Sequence, residues 1–158
     1  MTEKENLWRE TLEQASSLLD GETDRIVAMA NLSALIAEQL PDLNWAGFYR
    51  VAADGNLVLG PFQGKVACTR IPRGKGVCGT ALAAGESQLV PDVHAFPGHI
   101  ACDSASAAEV VAPVRDGSGR IWAVLDIDSP TIGRFDEADR RGFEALAALI
   151  GAIPDETR

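Results

Sequence analysis

The sequence predicts an α+β domain in which an antiparallel sheet carries helices packed against it. Helical periodicity opens and closes the chain, whereas the middle consists of short extended segments bounded by turn residues. Neighbouring extended segments are joined by turns too short for a parallel crossover, so they must pair antiparallel.

Trp8, Leu12, Ala15 and Leu19 recur at helical spacing, and Gly21 stops this first helix. Thr23 is placed to cap the second helix, whose stripe of Ile26, Met29, Ala30, Ser33, Ile36 and Leu40 ends at Pro41. Segments 44–51 and 56–60 flank Asp54-Gly55, a strong hairpin signal. Residues 65–71 read as a third strand, 77–84 as a short helix closed by Gly85, and 88–90 as a brief strand. A second hairpin joins 108–115 to 120–128 across Asp116-Gly117-Ser118-Gly119. The closing helix spans about 136–150, with Phe143, Leu146, Ala147 and Ile150 facing inward.

The 158 residues suit one domain, 1–158, with an N-terminal helix over 4–20 and a core over about 22–152. Hydrophobic residues make up 46% and charged residues 23%, which places the chain among globular rather than disordered sequences. No apolar run approaches the ~18 residues of a membrane span. The opening Met1-Thr2-Glu3-Lys4-Glu5-Asn6 leads into no apolar block, so no secretory signal is expected. With three cysteines, an odd number, a framework of structural disulfides is not expected, and a reducing, cytoplasmic compartment is. A net charge of −9 opposes nucleic-acid and membrane partners, because an acidic surface repels phosphate and anionic lipid.

Residues 92–106 form a loop long enough to point to function, and the site is placed there. Gly74-Lys75-Gly76-Val77-Cys78-Gly79 matches a dinucleotide fingerprint, but the helix behind it is too short for a βαβ unit, so it reads as a glycine-rich turn. The cysteines are Cys68 on a predicted strand, Cys78 at the start of the short helix and Cys102 in the long loop. Free cysteine is commonly a small buried hydrophobe. Cys102 stands apart because His99-Ile100-Ala101-Cys102-Asp103-Ser104 is polar: an imidazolium would favour its thiolate, and Asp103 would oppose it. The cysteines are too scattered for a zinc site, with His94 and His99 the only histidines to supplement them, so no metal is expected.

Carboxylates supply the other half of the chemistry. Along Ile121-Trp122-Ala123-Val124-Leu125-Asp126-Ile127-Asp128, alternation puts Asp126 and Asp128 on one face with Val124 and Trp122. Glu109 opens the neighbouring strand. Three acids so placed form a cluster whose mutual repulsion would raise at least one pKa and provide a proton donor near neutrality.

Between Trp45 and Asp128 the chain resembles the free methionine-(R)-sulfoxide reductases, small enzymes built on a stand-alone GAF domain. The residues that carry the resemblance are Asn44-Trp45-Ala46-Gly47-Phe48-Tyr49, Gly60-Pro61-Phe62-Gln63-Gly64-Lys65, Gly76-Val77-Cys78-Gly79, Phe96-Pro97-Gly98-His99-Ile100-Ala101-Cys102-Asp103 and Leu125-Asp126-Ile127-Asp128-Ser129. The resemblance implies a GAF-like, six-stranded antiparallel sheet and a closed pocket under the long loop. It implies Cys102 as the attacking cysteine, Cys68 as the resolving one and Cys78 as a thiol able to join disulfide exchange. Glu109, Asp126 and Asp128 match the family's substrate-binding acids, and Trp45 and Tyr49 match its aromatic pocket wall. No bound cofactor is implied; thioredoxin, drawing on NADPH, would be the external reductant, and a homodimer is compatible with the terminal helices. The alternatives are a ligand-binding or redox-sensing GAF module without turnover, and a purely structural domain with buried cysteines.

Overall fold

In a computed structural model, residues 1–99 and 105–155 are described. Helices α1 (Glu3–Leu19) and α2 (Arg25–Gln39) precede strands β1 (Trp45–Val51), β2 (Leu57–Gly64) and β3 (Arg70–Ile71). Helix α3 (Gly76–Ala84), β4 (Gln88–Val90), a 3-10 turn at Val93–Ala95, β5 (Ala108–Arg115), β6 (Ile121–Ser129) and α4 (Glu137–Gly151) follow. The six strands form one sheet in the order β3-β2-β1-β6-β5-β4, with every pair antiparallel. The predicted α+β architecture is therefore the observed one. No described helix is long and apolar enough to cross a membrane.

Strand alternation divides the molecule into two apolar regions. Ala46, Phe48, Val110, Ala112, Ala123, Leu125 and Ile127 point to one face, where α1, α2 and α4 cover them with Trp8, Ala15, Met29, Leu32, Ile36, Phe143, Leu146 and Ile150. Trp45, Tyr49, Val111 and Val124 point to the other, where they meet Val77, Cys78, Ala81 and Leu82 of α3. The first face is the larger core. The second holds the site.

Several expectations are corrected. Asp24, not Thr23, caps α2, its carboxylate accepting from the N–H groups of Ile26 and Val27. Ile26 and Ala30 lie exposed, and Ala28, Leu32 and Leu35 join the buried face instead. On α1, Thr11 is fully buried while Leu12 is half-buried; the Thr11 hydroxyl can enter the core because it donates to Leu7 O at 2.7 Å. The second strand runs on to Gly64, and β3 shrinks to Arg70–Ile71. Cys68 therefore sits in the connecting loop, not on a strand. Opposite Val114 and Arg115 of β5, which pair with Ala123 and Ile121, β6 carries one extra residue, Trp122, and this bulge breaks its alternation. Trp122 consequently packs with the helix-side core, under the Arg25 guanidinium, and not beside Val124 and Asp126.

Gly47 lets β2 fold tightly over β1: a Cβ there would lie 2.3 Å from Phe62 Cβ and 2.9 Å from Pro61 O. That close approach brings Phe62 onto Trp45, their rings stacked at 5.1 Å and 16°.

Candidate functional site

The sheet's second face opens into a pocket lined by side chains from five elements, among them Ile71 of β3. Trp45 and Tyr49 come from β1, Glu109 from β5, Asp126 and Asp128 from β6, and Cys78 from α3, with Val66, His99 and Ser106 from loops. Ladder register explains the acids. Glu109 pairs with Asp128 and Val111 with Asp126 across β5 and β6, while Trp45 pairs with Asp128 and Gly47 with Asp126 across β1 and β6. Residues directly opposite in an antiparallel pair project to the same side. Three carboxylates thus converge with one aromatic side chain beside them.

Helix α3 delivers Cys78. Its first residues, Gly76 and Val77, also line the pocket, and its N-cap Lys75 makes no side-chain capping bond. Gly76 takes a φ of 62°, and Gly79 lets the helix approach the preceding turn, where a Cβ would come 2.5 Å from Pro72 O. Cys78 Sγ lies 3.9 Å from Glu109 Oε2. One ligating atom from each of Cys78, Glu109 and Asp126 lies within 4.8 Å of the others, and all three residues are buried.

Burial dominates the electrostatics here. It pushes the Glu109 carboxyl well above its usual range, and the charges of Asp126 and Asp128 push it further. Asp126 is also raised by burial, with hydrogen bonds to Glu109 and Cys78 acting in opposition. The Cys78 thiol is raised by burial first and then by Asp126 and Glu109. The sequence assigned the expected shift to repulsion; desolvation is the larger cause. Because burial favours neutral forms, the cluster is better suited to sharing protons than to offering three negative ligands. Asp126 lines the pocket, and its Oδ1 is buried with no hydrogen-bond partner among the described residues.

Tyr49, raised by burial and by Asp126, keeps its proton and donates to Cys68 O at 2.9 Å. Cys68 is disulfide-bonded and Cys78 is a free thiol. His99 is lowered by burial and by His94, so its ring tends to the neutral form and brings little positive charge to the pocket. Cys102 and Asp103 lie outside the described residues.

The GAF domain family model matches residues 4–153. Free methionine-R-sulfoxide reductase of Escherichia coli (strain K12) is 51% identical over 138 residues, spanning 87% of this chain and 82% of that protein. The chain belongs to the free methionine-R-sulfoxide reductase family of GAF domains. Protein YtsP of Bacillus subtilis is 54% identical over 149 residues, 94% of this chain and 91% of its own. The free methionine-R-sulfoxide reductase from Neisseria meningitidis, solved in complex with its substrate, superposes with a TM-score of 0.90 at 44% identity, covering 96% and 90% of the two chains.

Of the residues singled out from the sequence, the structure brings Trp45, Tyr49, Cys78, Glu109, Asp126 and Asp128 to this reductase-family pocket. It leaves Cys68 just outside the lining, tied to it through Tyr49. Sequence reasoning missed Ser106, which is buried and accepts from Asn44 Nδ2 at 3.0 Å. It read His99 as a charge partner for the Cys102 thiolate and not as a residue of the pocket lining. The signal for Ser106 was its place in the predicted long segment 92–106.

Proposed function

We propose that this pocket reduces the free R epimer of methionine sulfoxide to methionine through cysteine thiol chemistry. The observation that carries the reading is Glu109: a buried carboxyl lining an aromatic-walled pocket beside two further acids, its pKa pushed well above the usual carboxylate range by burial. A sulfoxide sulfur accepts a nucleophile only when its oxygen takes up a proton or a strong hydrogen bond.

In this reading the Cys102 thiolate attacks sulfur while Glu109 gives its proton to the oxygen. The oxygen then migrates to Cys102 as the substrate's S–O bond and the transient S–S bond break, leaving a sulfenic acid on Cys102 and releasing methionine. The Cys68 thiol condenses with the sulfenic acid, releasing water and forming a disulfide. An external dithiol, thioredoxin, then reduces that disulfide in two exchange steps. The support for Cys68 in this role is that it is oxidised while Cys78 retains its thiol.

Asp126 and Asp128 suit the substrate's ammonium group, and the Oδ1 atom of Asp126 has no other partner among the described residues to satisfy it. Trp45 and Tyr49, stacked at 5.9 Å, wall the space for the methylsulfinyl end. An internal peptide residue has no ammonium group and would leave those carboxylates desolvated and unpaired.

A competition among the free R epimer, the free S epimer and an oxidised peptide, with methionine quantified for each, tests the proposal. The free R epimer should dominate kcat/KM. Equal turnover of the peptide would refute a closed, charge-lined site, and no thioredoxin-dependent NADPH consumption with any substrate would leave the sensing role instead.

A further inference from the structure

Trp45 and Tyr49 have polar ends that a pocket wall does not need. Both side chains are almost fully buried, at 4% and 2% exposure, so the indole N–H and the phenol O–H must each find an acceptor. Both find one in the same short loop. Trp45 Nε1 donates to Lys65 O at 3.2 Å, and Tyr49 Oη donates to Cys68 O at 2.9 Å. Residues 65–69 form neither strand nor helix, and Val66 between the two anchored carbonyls is 88% exposed.

The loop's entry depends on the same ring. Gly64 takes a φ of 138°, and a Cβ on it would lie 2.6 Å from Trp45 Cδ1. The stack of Phe62, Trp45 and Tyr49 thus supports the loop from beneath while two hydrogen bonds fasten its two ends.

We propose that Tyr49 and Trp45 are positioning residues for Cys68, fastening its loop to the sheet and thereby stabilising the disulfide that Cys68 forms. This deepens the reductase reading by giving the pocket wall a second task, in the resolving half of the cycle. It also joins the two halves physically, since the rings that line the pocket hold the cysteine that reports its use. Phenylalanine at either position would preserve much of the apolar wall and release one end of the loop.

The test needs no sulfoxide, so its outcome is separate from that of the proposed activity. Full-length protein is equilibrated in glutathione buffers of graded ratio, and the oxidised fraction of Cys68 is read by thiol alkylation and mass spectrometry. Tyr49→Phe should shift the thiol–disulfide equilibrium toward the dithiol by about 3- to 10-fold, the scale of one lost hydrogen bond. Trp45→Phe should shift it in the same direction, and it carries the test alone if the tyrosine variant does not fold. Thermal midpoints are measured for oxidised and reduced forms of each protein. A role confined to general stability lowers both midpoints equally and leaves the equilibrium constant where it was. Wild-type equilibrium constants in the folded variants would overturn the proposal.

Discussion

Cys78 Sγ and Glu109 Oε2 lie 3.9 Å apart in the buried floor of the pocket, a thiol facing a carboxyl with both pushed toward their protonated forms. A thiol in that setting is a poor nucleophile, because the reactive species is the thiolate. In the proposed mechanism Cys78 accordingly stands beside the acids and leaves the attack to Cys102.

That assignment predicts the labelling behaviour of Cys78. In native, reduced protein at neutral pH, iodoacetamide should modify Cys78 on the order of 10²-fold more slowly than an exposed thiol. Unfolding should abolish the difference. Peptide mapping after timed alkylation measures both, and rapid native labelling of Cys78 would contradict the buried environment.

Substitution of the other two cysteines separates the proposed steps. Cys102→Ser should abolish methionine formation, since a neutral hydroxyl is a far weaker nucleophile than a thiolate. Cys68→Ser should allow one equivalent of methionine per protein and then stall, with a sulfenic acid trapped by dimedone. Rapid-quench measurement of methionine against enzyme concentration distinguishes these outcomes.

Amide variants assign the acids. Glu109→Gln keeps the shape but holds no transferable carboxyl proton, so kcat should fall about 10²-fold or more. Asp126→Asn should chiefly raise KM if its carboxylate holds the ammonium group. Steady-state kinetics on both variants, with the free R epimer, decide the roles.

The same glutamate makes stability depend on pH. Its folded-state pKa lies above the ordinary 4.5, so the folded protein binds the proton more tightly than the unfolded chain. The stability from that proton is complete below about pH 4.5 and is lost as pH rises through the folded pKa. Glu109→Gln removes this loss. Its thermal midpoint relative to wild type should therefore climb between pH 4.5 and pH 8, and about 1 kcal/mol corresponds to roughly 2–4 °C for a domain of this size. Thermal scans across that range check the sign.

Asp139 ties the first helix to the last. It is buried, accepts from Trp8 Nε1 at 2.9 Å and from Lys4 Nζ at 2.8 Å, and lies 3.5 Å from Arg134 Nη1. Asp139→Ala should cost about 3 kcal/mol, because the donors that face it lose their acceptor. If residues 1–158 act as one domain, the loss should appear as a single lowered unfolding transition rather than as early release of α1. Circular dichroism together with Trp8 fluorescence distinguishes the two.

Local rules in the sequence determined much of this protein. Turn chemistry at Asp54-Gly55 and 116–119 identified both hairpins, and helical spacing located α1, α2 and α4, because those signals act between residues close in the chain. Alternation placed Asp126 and Asp128 on one face for the same reason. Resemblance, not periodicity, supplied the six-stranded GAF layout and the part assigned to each cysteine.

Tertiary structure alone decided the rest. A bulge at Trp122 of β6, opposite Val114 and Arg115, turned that ring away from the acids, and a bulge is set by strand pairing rather than by either strand's own pattern. The side of α2 that would be buried depended on how the helix met the sheet, which is why Ile26 is exposed and Leu32 is not. Glu109 meets Asp128, Asp126 and Cys78 only after β5, β6 and α3, distant in sequence, have packed. The exclusion of water that raises its pKa comes from that packing. An isolated strand would leave the same carboxyl solvated and ionised, so the sequence could name the acid but only the assembled pocket raises its pKa.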